Sequence, residues 1–216
     1  EYLSAVRHVV EEGHGRAMVI PGIGFTPQLA AELLPKLTSL RVDGVLVLRP
    51  YFIAPTPEGL LNYYTLLAGR TKLGMILYST ENVTIPLQII PEIMKIRNIV
   101  GVKHETANLT HFREVNLLAG HRLAMICGMA EILAGPFFAL GAVGYTSGIT
   151  NFIPEISHRI YAFLKKGDHQ SAEKLVSKYV VPIYRIRHRR SGYLATVIKE
   201  CMNYLGGNIG TVRSPS

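Results

Sequence analysis

The sequence predicts an α/β fold in which six parallel strands are each followed by a helix. Six short runs are almost continuously apolar, as is typical of strands buried on both faces of a parallel sheet. Amphipathic stretches separate these runs, so a strand-plus-helix unit recurs roughly every 25 to 30 residues. The 216 residues suffice for one domain with a substantial core.

Glycine, proline and charged residues bound the predicted elements. The strands cover 16–22, 44–50, 72–79, 99–105, 123–129 and 142–149. Two helices open with an N-cap threonine and a proline at the first helical position, at Thr26-Pro27 and Thr56-Pro57. The other helices show apolar residues at helical spacing and cover 1–13, 86–96, 109–118, 130–139, 152–165, 168–187 and 193–204.

Two arrangements of these strands fit the pattern, an open doubly wound sheet and a closed β/α barrel. A dinucleotide-binding sheet would carry GxGxxG after its first strand, but the sequence at 22–27 is GIGFTP, without the third glycine. This weakens the open-sheet alternative. A complete barrel has eight units in about 250 residues. The sequence therefore predicts a (β/α)8 barrel lacking its first two units, in residues 1–150, followed by a C-terminal helical region in 151–216.

The formal charge of +8 comes partly from the basic run at 185–190. That run lacks interleaved aromatics, so we interpret it as a solvated helix face or a local field for an anionic substrate. Nucleic-acid binding stays a lesser alternative, which predicts strongly salt-dependent affinity. No apolar run has membrane-spanning length and no signal peptide is visible, so a cytoplasmic protein is expected. Cys127 and Cys201 are predicted to be free thiols.

Lys103 and Tyr78 are the candidate catalytic residues. Lys103 lies in the apolar run IVGVKHE, where strand alternation places it on one face with Gly101 and Glu105. A desolvated amine there could attack a ketone; the alternative is a strand-end lysine that extends its amine to solvent. Tyr78 ends the preceding strand, and its phenol could transfer protons at the same barrel mouth. A core tyrosine is the alternative for Tyr78.

The last predicted strand ends in the small, hydroxyl-bearing segment GYTSG, which contains Thr146 and Ser147. These groups suit a keto-acid carboxylate, although capping of the next helix explains them equally well. None of the eight histidines stands at metal-ligand spacing, so no metal site is expected.

The chain resembles the dihydrodipicolinate synthase / N-acetylneuraminate lyase superfamily over nearly its whole length. The matching segments, in order, are GIG at 22–24, RPYF at 49–52, PTPEGL at 55–60, ILY at 76–78, IVGVK at 99–103, GAVGYTS at 141–147, IKE at 198–200 and GTVR at 210–213. The resemblance implies a barrel followed by a small helical bundle, with Lys103 as the Schiff-base lysine and Tyr78 as the catalytic phenol. It also implies that Ser147, Thr146 and Gly128 line the carboxylate end of the site, that no metal or organic cofactor is needed, and that the protein is a homo-oligomer, commonly a tetramer.

Within this superfamily the chain is most similar to the 5-dehydro-4-deoxyglucarate dehydratases. Phe52 stands where the synthase branch has a relay tyrosine, and 81–83 (ENV) stand where that branch has a carboxylate-binding arginine. Segments 78–82, 151–155 and 186–193 resemble the dehydratases instead. A synthase, another keto-acid aldolase, or an impaired relative that only binds a keto acid are the alternatives. The binding alternative rests on the absence, before residue 1, of the hydroxyl-rich loop that the family places after its second strand.

Overall fold

The computed structural model describes residues 1–13, 15–50, 54–81 and 83–214. Along them, six strands alternate with helices, which confirms the predicted α/β class. The chain divides into two compact units, Glu1–Ile126 and Cys127–Ser216. In the described part, no helix is long and apolar enough to cross a membrane.

The first unit is built on neighbouring strands that follow one another in chain order. They are β1 (Gly22–Phe25), β2 (Gly44–Pro50), β3 (Gly74–Thr80), β4 (Ile99–Glu105) and β5 (Ala124–Cys127), whose last residue already belongs to the second unit. β1 to β4 pair in parallel. Val47, Leu77 and Val102 on these strands are fully buried, as parallel strands covered on both faces require. Gly101 is needed beside β5, since a Cβ there would lie 2.7 Å from the Ala124 carbonyl oxygen.

The helices of the first unit are α1 (Tyr2–Gly13), α2 (Pro27–Ser39), α3 (Pro57–Ala68), α4 (Ile90–Ile93), preceded by a 3₁₀ turn at Leu87–Ile89, and α5 (Leu109–Ala119). Three of them, α2, α3 and α5, begin where a side-chain oxygen satisfies a free N–H group of the first turn. Thr26 and Thr56 cap α2 and α3, as predicted. Each hydroxyl, and the Asn108 amide oxygen at α5, accepts a hydrogen bond from the N–H three residues later, at 3.1, 3.1 and 2.9 Å.

The second unit is mainly helical around an apolar core. Its elements are α6 (Ala130–Ala139), β6 (Gly144–Tyr145), a 3₁₀ turn at Ile149–Asn151, α7 (Pro154–Lys165), α8 (His169–Leu175), a π turn at Val176–Val180, α9 (Val181–Arg187) and α10 (Tyr193–Tyr204). Ile149, Ile160 and Val180 are fully buried in that core. β6 is shorter than the predicted strand 142–149 because the chain turns into the 3₁₀ helix after it. A domain boundary at residue 150 stays a prediction.

The first strand was predicted too early in the chain, at 16–22 rather than Gly22–Phe25. Val19 is held by the turn before β2, where its N–H donates to Asp43 Oδ2 at 2.7 Å and its carbonyl accepts from the Asp43 N–H at 3.0 Å. Pro21 has no N–H for a ladder. The apolar run at 16–21 is therefore held by individual hydrogen bonds, and regular pairing with β2 begins only at Gly22.

Prolines interrupt two predicted helices. In the stretch 86–96, Pro91 lacks the N–H that a continuous helix would donate to the Leu87 carbonyl, so the 3₁₀ turn Leu87–Ile89 is followed by a separate four-residue α4. The stretch 168–187 contains the π turn Val176–Val180, since Pro182 cannot donate to the carbonyl four residues earlier and the backbone widens before it.

Candidate active site

The carboxyl ends of β2, β3 and β4 carry polar side chains in otherwise apolar strands: Arg49, Tyr78, Lys103 and Glu105. In the ladder between β3 and β4, Tyr78 is the partner of Lys103, and Thr80 is the partner of Glu105. Ladder partners in a parallel pair point to the same face of the sheet. The sequence pattern predicted that Tyr78 and Lys103 would share one rim, and the structure places them side by side.

The Lys103 amine is largely shielded from solvent and held by two contacts. Its side chain is 15% exposed, and Nζ lies 2.8 Å from Glu105 Oε2. Nζ also lies 4.4 Å from the centroid of the Tyr78 ring, within the range of a cation–π contact. The amine therefore does not extend freely to solvent, which was the structural alternative for this lysine.

Tyr78 is a half-buried phenol next to a carboxylate. Burial raises its pKa, and a hydrogen bond to Glu105 together with the negative charge of that carboxylate raises it further. The positive charge of Arg49 opposes these effects. The neutral phenol is thus the resting form over the physiological pH range, and it can serve as a proton donor.

Glu105 and Arg49 were not recognised as site residues from the sequence. Glu105 is two positions after Lys103, so strand alternation already placed both on one face; the pattern could have revealed the carboxylate. Arg49 lies at the carboxyl end of the apolar strand β2, at the same edge as Tyr78. A charged residue at the carboxyl end of a buried parallel strand was the available signal in both cases.

His104 faces away from this site and belongs to the core. It is fully buried, stacks on His111 with ring centroids 5.3 Å apart and packs edge-on against Phe112 at 5.5 Å. Burial, followed by the proximity of His111, lowers its pKa to about 4. Of the two residues that follow the lysine, only Glu105 therefore lies at the active-site rim.

The depressed pKa of His104 predicts that the first unit loses stability in weak acid. The unfolded chain binds the proton below about pH 6.5, whereas the folded chain excludes it until about pH 4. The free energy of unfolding should fall by about 2 to 3 kcal/mol between these values, measured as the urea midpoint. His104→Leu should make the free energy of unfolding less dependent on pH. His8→Gln, a control at an exposed position, should leave that pH dependence unchanged. An unchanged slope in His104→Leu would contradict this prediction.

In the second unit, the hydroxyl of Ser147 is engaged within the protein. Ser147 donates to Oε1 of Glu131 and accepts from the Thr150 N–H at 3.2 Å. Glu131 is buried, and the same oxygen accepts from the Ser157 hydroxyl at 2.6 Å. Thr146 has an exposed side chain, and its N–H donates to the Cys127 carbonyl at 2.9 Å. Sequence reasoning missed Glu131, whose signal was a carboxylate in the first turn of an apolar helix.

The proposed carboxylate-binding role of Ser147, Thr146 and Gly128 stays a prediction. Gly128 directly follows β5 and is half-buried. Both cysteines are reduced thiols rather than disulfide partners, Cys127 buried and Cys201 half-buried. Among the described residues, no three histidine, cysteine or acidic side chains are grouped so that they could hold a metal ion.

The basic run at 185–190 is only partly a solvated helix face. Arg185, Arg189 and Arg190 are exposed, as that interpretation requires. Arg187 is half-buried, and its guanidinium carbon lies 4.7 Å from the centroid of the Tyr184 ring. The Arg187 guanidinium thus contacts a side chain of its own unit. The exposed arginines that remain in this run are few for a nucleic-acid-binding surface.

A lysine amine at the carboxyl edge of parallel β/α units, shielded from water and with a phenol beside it, is suited to hold a keto acid as a Schiff base, as in the Schiff-base lyases. The comparisons with known proteins agree with this class. The chain belongs to the dihydrodipicolinate synthetase family, whose family model matches residues 1–216.

Two similar curated proteins carry the name probable 5-dehydro-4-deoxyglucarate dehydratase. The one from a Bradyrhizobium species is 30% identical over 218 residues, covering 100% of this chain and 69% of the relative. The one from Bradyrhizobium diazoefficiens is 30% identical over 213 residues, covering 97% and 68%. The crystal structure of dihydrodipicolinate synthase from Oceanobacillus iheyensis matches with a TM-score of 0.92 and 28% identity, over 99% of this chain and 72% of that one. The fold is therefore that of the family's TIM barrel, of which this chain spans about 70%.

Proposed function

We propose that this protein forms a Schiff base between Lys103 and a 2-keto acid or keto-sugar acid, and that it dehydrates and decarboxylates that substrate. The observation that carries the proposal is the pairing of Tyr78 with Lys103 in the ladder, with Nζ 4.4 Å from the phenol ring. An amine shielded from water and a neutral phenol beside it are the two groups that iminium formation requires.

In the proposed mechanism, the Lys103 amine attacks the substrate ketone and Tyr78 protonates the resulting alkoxide oxygen. A second proton transfer converts the hydroxyl group into water, which leaves as the iminium forms. The iminium withdraws electrons from the neighbouring carbons, so the adjacent carbon loses a proton and the enamine then expels the hydroxyl group of the next carbon, which leaves as water with a proton from Tyr78. The conjugated iminium formed in this way accepts the electron pair of the bond to the substrate's second carboxylate, which is lost as carbon dioxide. Tyr78 returns protons to the intermediate, and hydrolysis of the product iminium frees the lysine. Because burial and Glu105 raise the pKa of Tyr78, the phenol is available as an acid at neutral pH.

Two features support a dehydratase over a synthase. The curated relatives named above are called dehydratases, at 30% identity. Phe52 replaces the relay tyrosine of the synthases, and 81–83 lack their arginine. Phe52 and Asn82 lie outside the described residues. At Val83, a carbonyl accepts from the Thr80 N–H at 3.2 Å, so the chain turns back directly after β3.

Reductive trapping tests the proposal and ranks the substrates. With borohydride, 5-dehydro-4-deoxyglucarate is expected to leave an adduct on Lys103, located by peptide mass spectrometry, and without reductant it should be consumed with release of carbon dioxide. A synthase or another aldolase would instead be trapped by pyruvate and release no carbon dioxide. A protein that only binds keto acids would give an adduct without turnover. No adduct with either compound on a folded protein would contradict the Schiff-base chemistry.

A further inference from the structure

We propose that Glu105 is a proton-relay residue that carries protons from the Lys103 amine to Tyr78 during Schiff-base formation. The inference rests on the proposed function and assigns a third residue to the same site. Glu105 Oε2 lies 2.8 Å from Lys103 Nζ, and the Glu105 carboxylate also shares a hydrogen bond with the Tyr78 phenol. One carboxylate therefore contacts both groups between which protons must move.

The strand geometry makes this placement specific to position 105. Residues two apart on a strand project to the same face, so the carboxylate on β4 stands beside the lysine of the same strand. The ladder partner of Lys103 is Tyr78, which closes a triangle of amine, carboxylate and phenol. His104, between the two charged residues, points to the opposite face and is buried in the core.

The step balances in atoms and charge. Lys103 begins as an ammonium with three protons and ends as an iminium nitrogen with one, so two protons must leave nitrogen while the ketone oxygen leaves as water. Glu105 takes a proton from Nζ, which frees the lone pair for attack on the ketone carbon. Tyr78 gives its proton to the oxygen and is reprotonated by Glu105. A second transfer along the same path completes the water, and the carboxylate then neutralises the iminium charge.

A purely structural ion pair is the competing explanation. The Glu105 side chain is 37% exposed, and ion pairs with that much exposure contribute about 0 to 1 kcal/mol to stability. Removal of the carboxylate should thus leave the fold intact, so a change in rate after substitution can be assigned to the lost carboxylate rather than to unfolding. Among the described residues, three charged or titratable groups lie near Glu105 on the packed strands. They are Lys103 on β4, Tyr78 on β3 and Arg49 on β2, whose positive charge lowers the pKa of Tyr78.

The experiment measures the rate of trapping by 5-dehydro-4-deoxyglucarate and cyanoborohydride, from about pH 5 to about pH 9, by intact mass. In Glu105→Gln the rate at neutral pH should fall at least about 10-fold, and the rising limb of the profile should move to higher pH because the amine must then lose its proton to solvent. Glu105→Asp keeps a carboxylate and should restore the shape of the wild-type profile. The control is Glu92→Gln, which removes the exposed Lys95–Glu92 ion pair of 2.5 Å and should change neither rate nor profile.

The outcomes separate this proposal from the function on which it rests. If the wild type forms no adduct on Lys103, both are overturned. If the wild type is trapped and Glu105→Gln is trapped at the same rate with the same profile, Glu105 is only an ion-pair partner. A rate lowered equally at every pH also overturns the relay, since a structural defect would not move the rising limb.

Discussion

Lys103→Ala is expected to abolish both reductive trapping and turnover. The nucleophile of a covalent mechanism has no substitute within the site, so the rate should fall on the order of 10³-fold or more. The change removes a side chain that is 15% exposed together with its pair to Glu105, and stability should change little. Turnover and adduct formation are measured on the same preparation, with the thermal midpoint as the check on folding.

Two variants make the result specific. Lys103→Arg keeps a cation beside Glu105 but cannot form a Schiff base, so it should be as inactive as the alanine variant. Lys95→Ala removes an exposed lysine that is also ion-paired, with Glu92, and should retain wild-type activity. Adduct formation in Lys103→Ala at the wild-type rate would mean that another lysine carries the chemistry.

Tyr78→Phe is expected to lower turnover by about 10²- to 10⁴-fold, the usual contribution of general acid–base catalysis. The ring that contacts the Lys103 amine at 4.4 Å remains, so the substrate should still be trapped, but slowly. The effect should fall mainly on kcat, because the lost phenol acts on developing charge rather than on binding. Single-turnover kinetics of adduct formation and product release separate the two steps.

Tyr63→Phe is the matched control for this variant. The Tyr63 phenol is also buried, which raises its pKa to about 12, and it donates to the Leu48 carbonyl at 2.9 Å. Its loss should cost about 1 kcal/mol of stability and leave the rate unchanged. If Tyr63→Phe and Tyr78→Phe lowered turnover equally, loss of packing rather than proton transfer would explain both.

Some features of the site lie beyond what a local pattern can resolve. The hydroxyl of Ser147 was expected either to bind a carboxylate or to cap a helix, and in the structure it bonds to Glu131 and to the Thr150 N–H. Whether it also binds substrate stays a prediction, as does assembly into a tetramer. The partner Glu131 is 16 positions away in the chain, and no periodicity links residues at that distance.

By itself, the sequence determined the α/β class, the order of its strands and helices, the lysine and tyrosine at one rim, and the family. The strands and helices follow from alternation along a strand and from capping residues, which act between neighbours in the chain, and the family follows from the order of motifs along it. The tertiary structure decided that β1 starts at Gly22, that Pro182 follows a π turn, and that Lys103 is paired with Glu105. These depend on ladder register, hydrogen-bond competition and side-chain contact, which are settled only when distant segments pack together.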